Sequence, residues 1–142
     1  MGCDMLVRLY DIPDDAVWEL EKKLRDSGIY LKRAMTADMS RVLDFVRGAF
    51  SQGWADQAEA GILSNGCWIA VKDKKVVGFA CFDATLPDFF GPTGVLEEMR
   101  GLGVGRALLL KCMLSMKERG YAYAIIGWAG PTGFYKKCVG AV

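Results

Sequence analysis

Along the chain the spacing of apolar residues changes period several times, and each change marks an element. Pro13-Asp14-Asp15 opens a stretch in which Val17, Leu20 and Leu24 recur at helical spacing, and Ser27-Gly28 closes it. Residues 1–28 therefore read as a helical N-terminal extension. Residues 29–34 alternate apolar and polar, as a half-buried strand does. Thr36-Ala37-Asp38 caps a second helix with an apolar face of Val42, Leu43, Phe45, Val46 and Ala49. A shorter helix over 54–63 follows and ends at the Asn65-Gly66 turn.

Two strands, 67–71 and 76–83, flank Asp73-Lys74-Lys75 and read as a hairpin. A third strand, 89–96, is interrupted by Gly91-Pro92; a proline cannot donate to a ladder, so a bulge is expected there. Residues 103–119 form a helix that is apolar on most sides and must pack on a sheet. A buried strand over 121–128 and a short helix over 131–138 complete the chain. Helices, a hairpin and then a β-α-β crossover predict a single α/β domain, 1–142, around a mixed, mostly antiparallel sheet with helices on both faces.

Composition narrows the chemistry. The 142 residues are 52% hydrophobic and 25% charged, a globular balance. Eighteen basic and seventeen acidic residues leave +1, so neither nucleic acid nor an acidic membrane is an expected partner. The count of zero histidines excludes Ser-His-Asp and Cys-His catalysis and every imidazole metal site, and no metal is expected. The five cysteines form no Cys-x-x-Cys pair and most lie in apolar runs, which reads as free thiols in a reducing compartment. No apolar run reaches the roughly 18 residues of a membrane span, and no signal-peptide core is present. The expectation is a soluble, cytoplasmic protein. Met1-Gly2-Cys3 opens like a myristoylation site, but Leu6 stands where that motif needs Ser or Thr.

The informative stretch runs from Val95 to Ala107, where a strand enters a glycine-rich turn that opens a helix. Glycines let backbone approach an anion, and a helix start offers unpaired N–H groups with partial positive charge. Arg100 and Arg106 flank the turn with guanidinium groups suited to phosphate oxygens, so a diphosphate is the natural guest. A Walker A loop would need Lys-Ser or Lys-Thr after Gly105, where Arg106-Ala107 stands. A dinucleotide fingerprint needs a different glycine spacing and an acid on the next strand, and 121–128 contains none.

Arg100-x-x-Gly103-x-Gly105 resembles the Arg/Gln-x-x-Gly-x-Gly/Ala signature of the GNAT superfamily of acyl-CoA N-acyltransferases. Phe134 to Ala141 is similar to the family's Phe-Tyr-x-Lys-x-Gly-Phe ending, and the likeness runs from about Ile29 to Ala141. The stretches 90–95, 121–127 and 134–141 resemble a subgroup that includes glucosamine-type N-acetyltransferases.

The resemblance implies a GNAT-like fold with a splayed β-α-β site and acetyl-CoA as cosubstrate. It implies that Thr93, Gly94 and Val95 hold the thioester and pantetheine through backbone hydrogen bonds. Arg100, Gly101, Leu102, Gly103, Val104, Gly105 and Arg106 lie where the family holds the pyrophosphate. Tyr135 matches the tyrosine that protonates the leaving thiolate. A tyrosine of pKa near 10 is still protonated at pH 7 and can donate to a thiolate of pKa roughly 8.5.

Departures from the family matter as much. The two positions where relatives carry a general-base glutamate fall near Phe89 and at Tyr123. Asp88 is one residue off register and by alternation faces the other way unless the Gly91-Pro92 irregularity rotates it; Asp83, Glu97 and Glu98 are weaker candidates. The acceptor pocket of the family lies at the loop between the first two helices, where Trp54 and Asp56 are the substrate-binding candidates. Trp128 stands where many relatives have asparagine and is expected to pack. The sequence ends soon after Val139-Gly140-Ala141, where relatives continue into a last strand. The sheet edge this would leave open predicts a cover, either a partner subunit in a homodimer or the segment 6–24. The leading function is transfer of acetyl from acetyl-CoA to a small-molecule amine such as an amino sugar; the alternative is an acyl-CoA-binding module without turnover of its own.

Overall fold

The computed structural model describes residues 3–142, so the Met1-Gly2 start lies outside the described residues. In chain order the elements are β1 (Cys3–Arg8), α1 (Trp18–Asp26), β2 (Ile29–Arg33), α2 (Met39–Ala49), α3 (Gln52–Leu63), β3 (Cys67–Lys72) and β4 (Lys75–Phe82). They continue as β5 (Phe89–Val95), α4 (Val104–Glu118), β6 (Tyr123–Ala129) and α5 (Thr132–Val139). One sheet runs β1-β6-β5-β4-β3-β2, antiparallel throughout except for the parallel β5–β6 pair that α4 connects.

The N-terminal expectation needs correction. Among the described residues the expected helical extension over 1–28 is not helical throughout: Cys3–Arg8 is a strand, and α-helix begins only at Trp18. Met5 and Val7 are buried while Cys3, Asp4, Leu6 and Arg8 are exposed, a period-two pattern too short to stand out beside the helical stripe that follows. β1 lies antiparallel along β6, with Val7 opposite Ala124 and Arg8 opposite Tyr123. Of the two covers expected for an open edge, a partner subunit or the segment 6–24, the chain supplies one along β6 from its own N-terminal segment, as a strand that starts earlier, at Cys3. On β1's outer side, Leu6 and Val142 exchange both backbone hydrogen bonds, at 2.8 and 2.9 Å.

Two apolar clusters fill the faces of the sheet. On one face α4 packs with Leu108, Met113 and Met116 against Val77, Ala80, Phe82, Phe90, Ile126, Met5 and Val7. On the other, α2 and α3 bring Val42, Val46, Ala55, Ala58 and Ile62 against Ile69, Phe79 and Cys81. The bulge expected at Gly91-Pro92 is present: between the pairs Ala80–Thr93 and Phe82–Phe90, β5 carries one residue more than β4. All five cysteines are free thiols, three of them buried.

At the end of β2, the buried Asp38 ties three elements together. Its carboxylate accepts the Met35 N–H at 2.9 Å, Lys32 Nζ at 3.0 Å and Arg41 Nη2 at 2.9 Å. Burial by itself would raise this carboxyl, but the N–H and the two cations outweigh it and hold it below its ordinary value.

Candidate active site

Where β5 and β6 meet, only Phe89–Ile125 and Phe90–Ile126 pair; beyond them the two strands part. The Leu96 N–H bonds to Val77 O at 2.9 Å, so Leu96 is a hydrogen-bonded partner of β4. By the alternation of an antiparallel ladder, the N–H and C=O of Val95 and Thr93 then turn away from β4, into the opening that β6 has left. These backbone groups lie at the mouth of a cavity of about 690 Å³, within the range of a small-molecule site.

The cavity gathers most of the residues singled out in the sequence. Thr93, Gly94, Val95, Arg100, Gly101, Gly103, Val104, Gly105, Arg106 and Tyr135 all line it. Leu102 does not: its side chain is exposed at the outside of the turn. Lys137 and Cys138 on α5, and Phe90, Phe134 and Leu109, line it as well. Helical spacing could have found both, since Lys137 follows Phe134 and Cys138 follows Tyr135 by three residues on a short helix at the cavity wall.

The glycines of the turn differ in kind. Gly101 and Gly103 have φ of +86° and +92°, the left-handed region that ordinary residues enter only with strain. Gly103 leads into α4, which starts at Val104, so the first N–H groups of a 15-residue helix face the cavity. Gly105 lies within α4 with an ordinary φ, and an added Cβ would touch only Val95 Cγ2, at 3.7 Å. The fold does not require glycine at 105. Close approach by a ligand is the remaining reason for it. Arg100, Arg106 and Lys137 make the cavity cationic, which suits a pyrophosphate.

Tyr135 is buried against Phe90 and Phe134, with ring centroids 6.3 and 5.3 Å away. Burial, with a smaller contribution from Cys138, raises its hydroxyl above the ordinary tyrosine value, so it is protonated at neutral pH.

The carboxylate candidates lie elsewhere. Asp83 pairs with Arg119 Nη1 at 2.6 Å, accepts the Asp88 N–H at 2.7 Å and the Tyr121 hydroxyl at 3.3 Å. Asp88 has φ of +68° and one buried oxygen without a partner. Asp83 sits by the C-terminal end of α4, about 20 Å along that helix from the glycine turn, and Asp88 stands just before β5, outside the cavity lining. Glu97 and Glu98 are exposed in the turn after β5. Among the described residues no carboxylate lines the cavity, and no group of three His, Cys, Asp or Glu residues is placed for a metal ion.

On the opposite sheet face Phe50, in the α2–α3 loop, covers β5. A Cβ on Gly94 would come within 2.4 Å of its ring, so glycine at 94 is what lets Phe50 lie there. Phe50, Trp54, Phe45 and Phe79 form one aromatic group, with Phe50 and Trp54 centroids 5.3 Å apart. The Ser51 hydroxyl accepts the Trp54 N–H at 3.1 Å and caps α3, leaving the indole half-exposed at the edge of the group. Asp56 does not join it. Two residues on along a helix means another face, and Asp56 instead accepts Gln52 Nε2 at 2.8 Å. The expectation that Trp128 packs is overturned: it is 79% exposed.

A sheet that splays beside a helix N-terminus, with a cationic glycine turn and a buried tyrosine at the cavity wall, forms a pocket suited to an elongated anionic ligand. The comparisons with known proteins agree: residues 64–138, more than half of the chain, match the acetyltransferase (GNAT) domain family. The chain belongs to that family of acyltransferases. Among solved structures it is similar to the glucosamine N-acetyltransferase region of a fungal multi-domain GH3 β-N-acetylglucosaminidase, with 16% identity and a TM-score of 0.75 over 97% of this chain and 19% of that one. A GCN5-related N-acetyltransferase from Sphaerobacter thermophilus matches with 20% identity and a TM-score of 0.75 over 99% of this chain and 47% of that one. A family acetyltransferase from Brucella melitensis, solved with acetyl-CoA, matches with 17% identity and a TM-score of 0.62 over 77% of this chain and 80% of that one. The chain thus spans less than half the length of the first two. No curated protein matches its sequence. No helix among the described residues is long and apolar enough to cross a membrane.

Proposed function

We propose that the protein transfers the acetyl group of acetyl-CoA to a small-molecule primary amine of low pKa, with amino sugars the leading acceptor class. The observation that carries this reading is one cavity holding the unpaired backbone of Thr93 and Val95, the cationic turn at 100–106 and the buried Tyr135. Acetyl-CoA supplies an acyl group on a thioester; its C–S bond breaks as the C–N bond to the amine forms. Backbone N–H at Val95 polarises the carbonyl, Tyr135 gives its proton to the leaving sulfur, and the attacking nitrogen loses its extra proton to water. Arg100, Arg106 and the N–H groups of the 101–105 turn hold the pyrophosphate, and Trp54 forms one wall for the acceptor.

The choice of amine rests on magnitudes. A lysine-like amine of pKa about 10.4 loses its proton at a cost of roughly 4.6 kcal/mol at pH 7, and one of pKa near 8 at roughly 1.4 kcal/mol. A cavity with no carboxylate in its lining favours the second kind. The fungal relative's glucosamine N-acetyltransferase region supports the amino-sugar class. Five free thiols suit a reducing compartment, and on that ground the cytoplasm is the proposed location.

Amine-dependent CoA release from acetyl-CoA, over amino sugars, polyamines, amino acids and peptides with an amine-free blank, tests the reading. Stimulation by amino sugars is expected, and Tyr135→Phe should cut kcat about 100-fold while leaving the Kd for CoA as it is. No stimulation by any class, with CoA still bound, would replace the transferase by an acyl-CoA-binding module.

A further inference from the structure

The exposed Trp128 owes its position to a bulge. Ala129 pairs with Cys3 and Ile126 with Met5, so two residues of β6, Gly127 and Trp128, stand opposite the single Asp4 of β1. Ile126, Ala129 and Met5 all face the α4 cluster, so Asp4 and the bulged pair face the other side of the sheet. Trp128 takes φ of +52°, and its N–H donates to Asp4 Oδ1 at 3.1 Å. A Cβ on Gly127 would come within 3.9 Å of that same oxygen and 3.1 Å of the Phe89 ring, which places Asp4 and Phe89 together on this face.

That face is where α2 and α3 lie, but those helices pack chiefly on β3, β4 and β5, and on the β6 and β1 side Leu6, Tyr123 and Trp128 stay exposed. Phe50 and Trp54 therefore stand over one arm of the splay, at Gly94, and Trp128 and Asp4 stand on the other arm. The α4 side of the splay is taken up by the cavity assigned to acetyl-CoA. An amine must reach the thioester from the opposite side, between those two arms.

We propose that Trp128 and Asp4 form the second wall of the acceptor subsite and select a cyclic, cationic acceptor, a hexosamine ring lying on the indole. This deepens the proposed transferase reading and rests on it. The indole offers a broad apolar and π surface to the C–H face of a pyranose and to its ammonium form, and Asp4, outside the cavity lining and bonded to the Trp128 N–H, adds a negative charge that draws the ammonium in, while water still takes the proton. A strained left-handed φ on a bulky aromatic persists only where something holds it; here the Asp4 side chain does, so the two residues act as one device.

The test is a titration of the full chain, saturated with CoA, with glucosamine and separately with ethanolamine, which lacks the ring. The readout is the indole N–H resonance of Trp128 in ¹⁵N-labelled protein, assigned with Trp128→Phe. The resonance is expected to move saturably with glucosamine and far less with ethanolamine. Trp128→Gly, which suits the left-handed backbone, should raise KM for glucosamine about tenfold and leave the Kd for acetyl-CoA unaltered. Asp4→Asn keeps an oxygen for the Trp128 N–H and removes the charge, and should raise the same KM by a smaller factor. A resonance indifferent to glucosamine, or one that moves only with protein concentration because a second copy covers the face, overturns the proposal. A saturable shift without any acetyl transfer would support the subsite and overturn the transferase reading instead.

Discussion

Glycines at 101, 103 and 105 look alike in the sequence and do different work in the structure. At 101 and 103 the backbone itself is left-handed, so a side chain strains the fold whether or not a ligand is present. At 105 the helix accepts a side chain, and the added Cβ meets Val95 at an ordinary distance. Gly105→Ala is therefore expected to raise stability by up to about 1 kcal/mol through helix propensity while weakening CoA binding. Gly103→Ala is expected to lower both, by about 1–2 kcal/mol in stability, since its Cβ would also press on Leu20 at 2.8 Å. Thermal melts and CoA calorimetry on the two variants check the contrast. Loss of stability in Gly105→Ala would mean that the turn is built for the fold alone.

At the scale of elements, β1 is what completes the sheet. Leu6 directs its N–H and C=O outward to Val142, so Met5 and Val7 direct theirs to β6. Proline should then be far less harmful at 6 than at 7. Val7→Pro removes a ladder bond and disturbs a fully buried side chain, and is expected to unfold the protein or expose β6 to aggregation. Leu6→Pro loses only the outer bond to Val142 and should fold. Circular dichroism melts and light scattering separate the outcomes, and equal damage at both positions would contradict the pairing. The other elements match the sequence pattern to within two residues except α1, whose stripe opens at Pro13 while helix begins at Trp18. α4, for instance, was expected over 103–119 and spans Val104–Glu118, because its apolar period persists over four turns.

For the whole molecule, acid response divides between two carboxylates of opposite sign. Asp38 is held below its ordinary value, so its contribution is present above an unfolded pKa of about 3.9 and is lost as pH falls through the depressed folded value. Asp88 is raised by burial and then by Asp83, so its favourable contribution belongs to low pH and is lost as pH rises through the folded value. Asp38→Asn should cost about 2 kcal/mol at pH 7, a deficit that shrinks toward acid. Asp88→Asn, with asparagine tolerant of φ near +68°, should raise Tm at pH 7, and the gain should vanish near pH 4. Denaturant titrations from pH 3 to 7 read both signs, and a parallel response of the two variants would contradict them.

What the sequence determined by itself is what short stretches of chain decide locally. The turn from Arg100 to Arg106 is contiguous, and its glycine pattern together with the following apolar helix states an anion-binding helix start without knowledge of anything distant. Tyr135 was legible in the same way, from its neighbours. The tertiary structure alone decided which distant segments meet. Cys3–Arg8 pairs with a strand more than a hundred residues away, and its six residues carry too little period to announce that partner. Trp54 and Asp56 read as a pair because they are close in sequence, yet a helix turns them to different faces. Trp128 read as a packing residue because tryptophan usually is one; a single extra residue in β6, held by Asp4 from the other end of the chain, turns it outward instead. Local pattern sets conformation, but the side of a sheet on which a residue stands depends on register, and register is settled only when the strands come together.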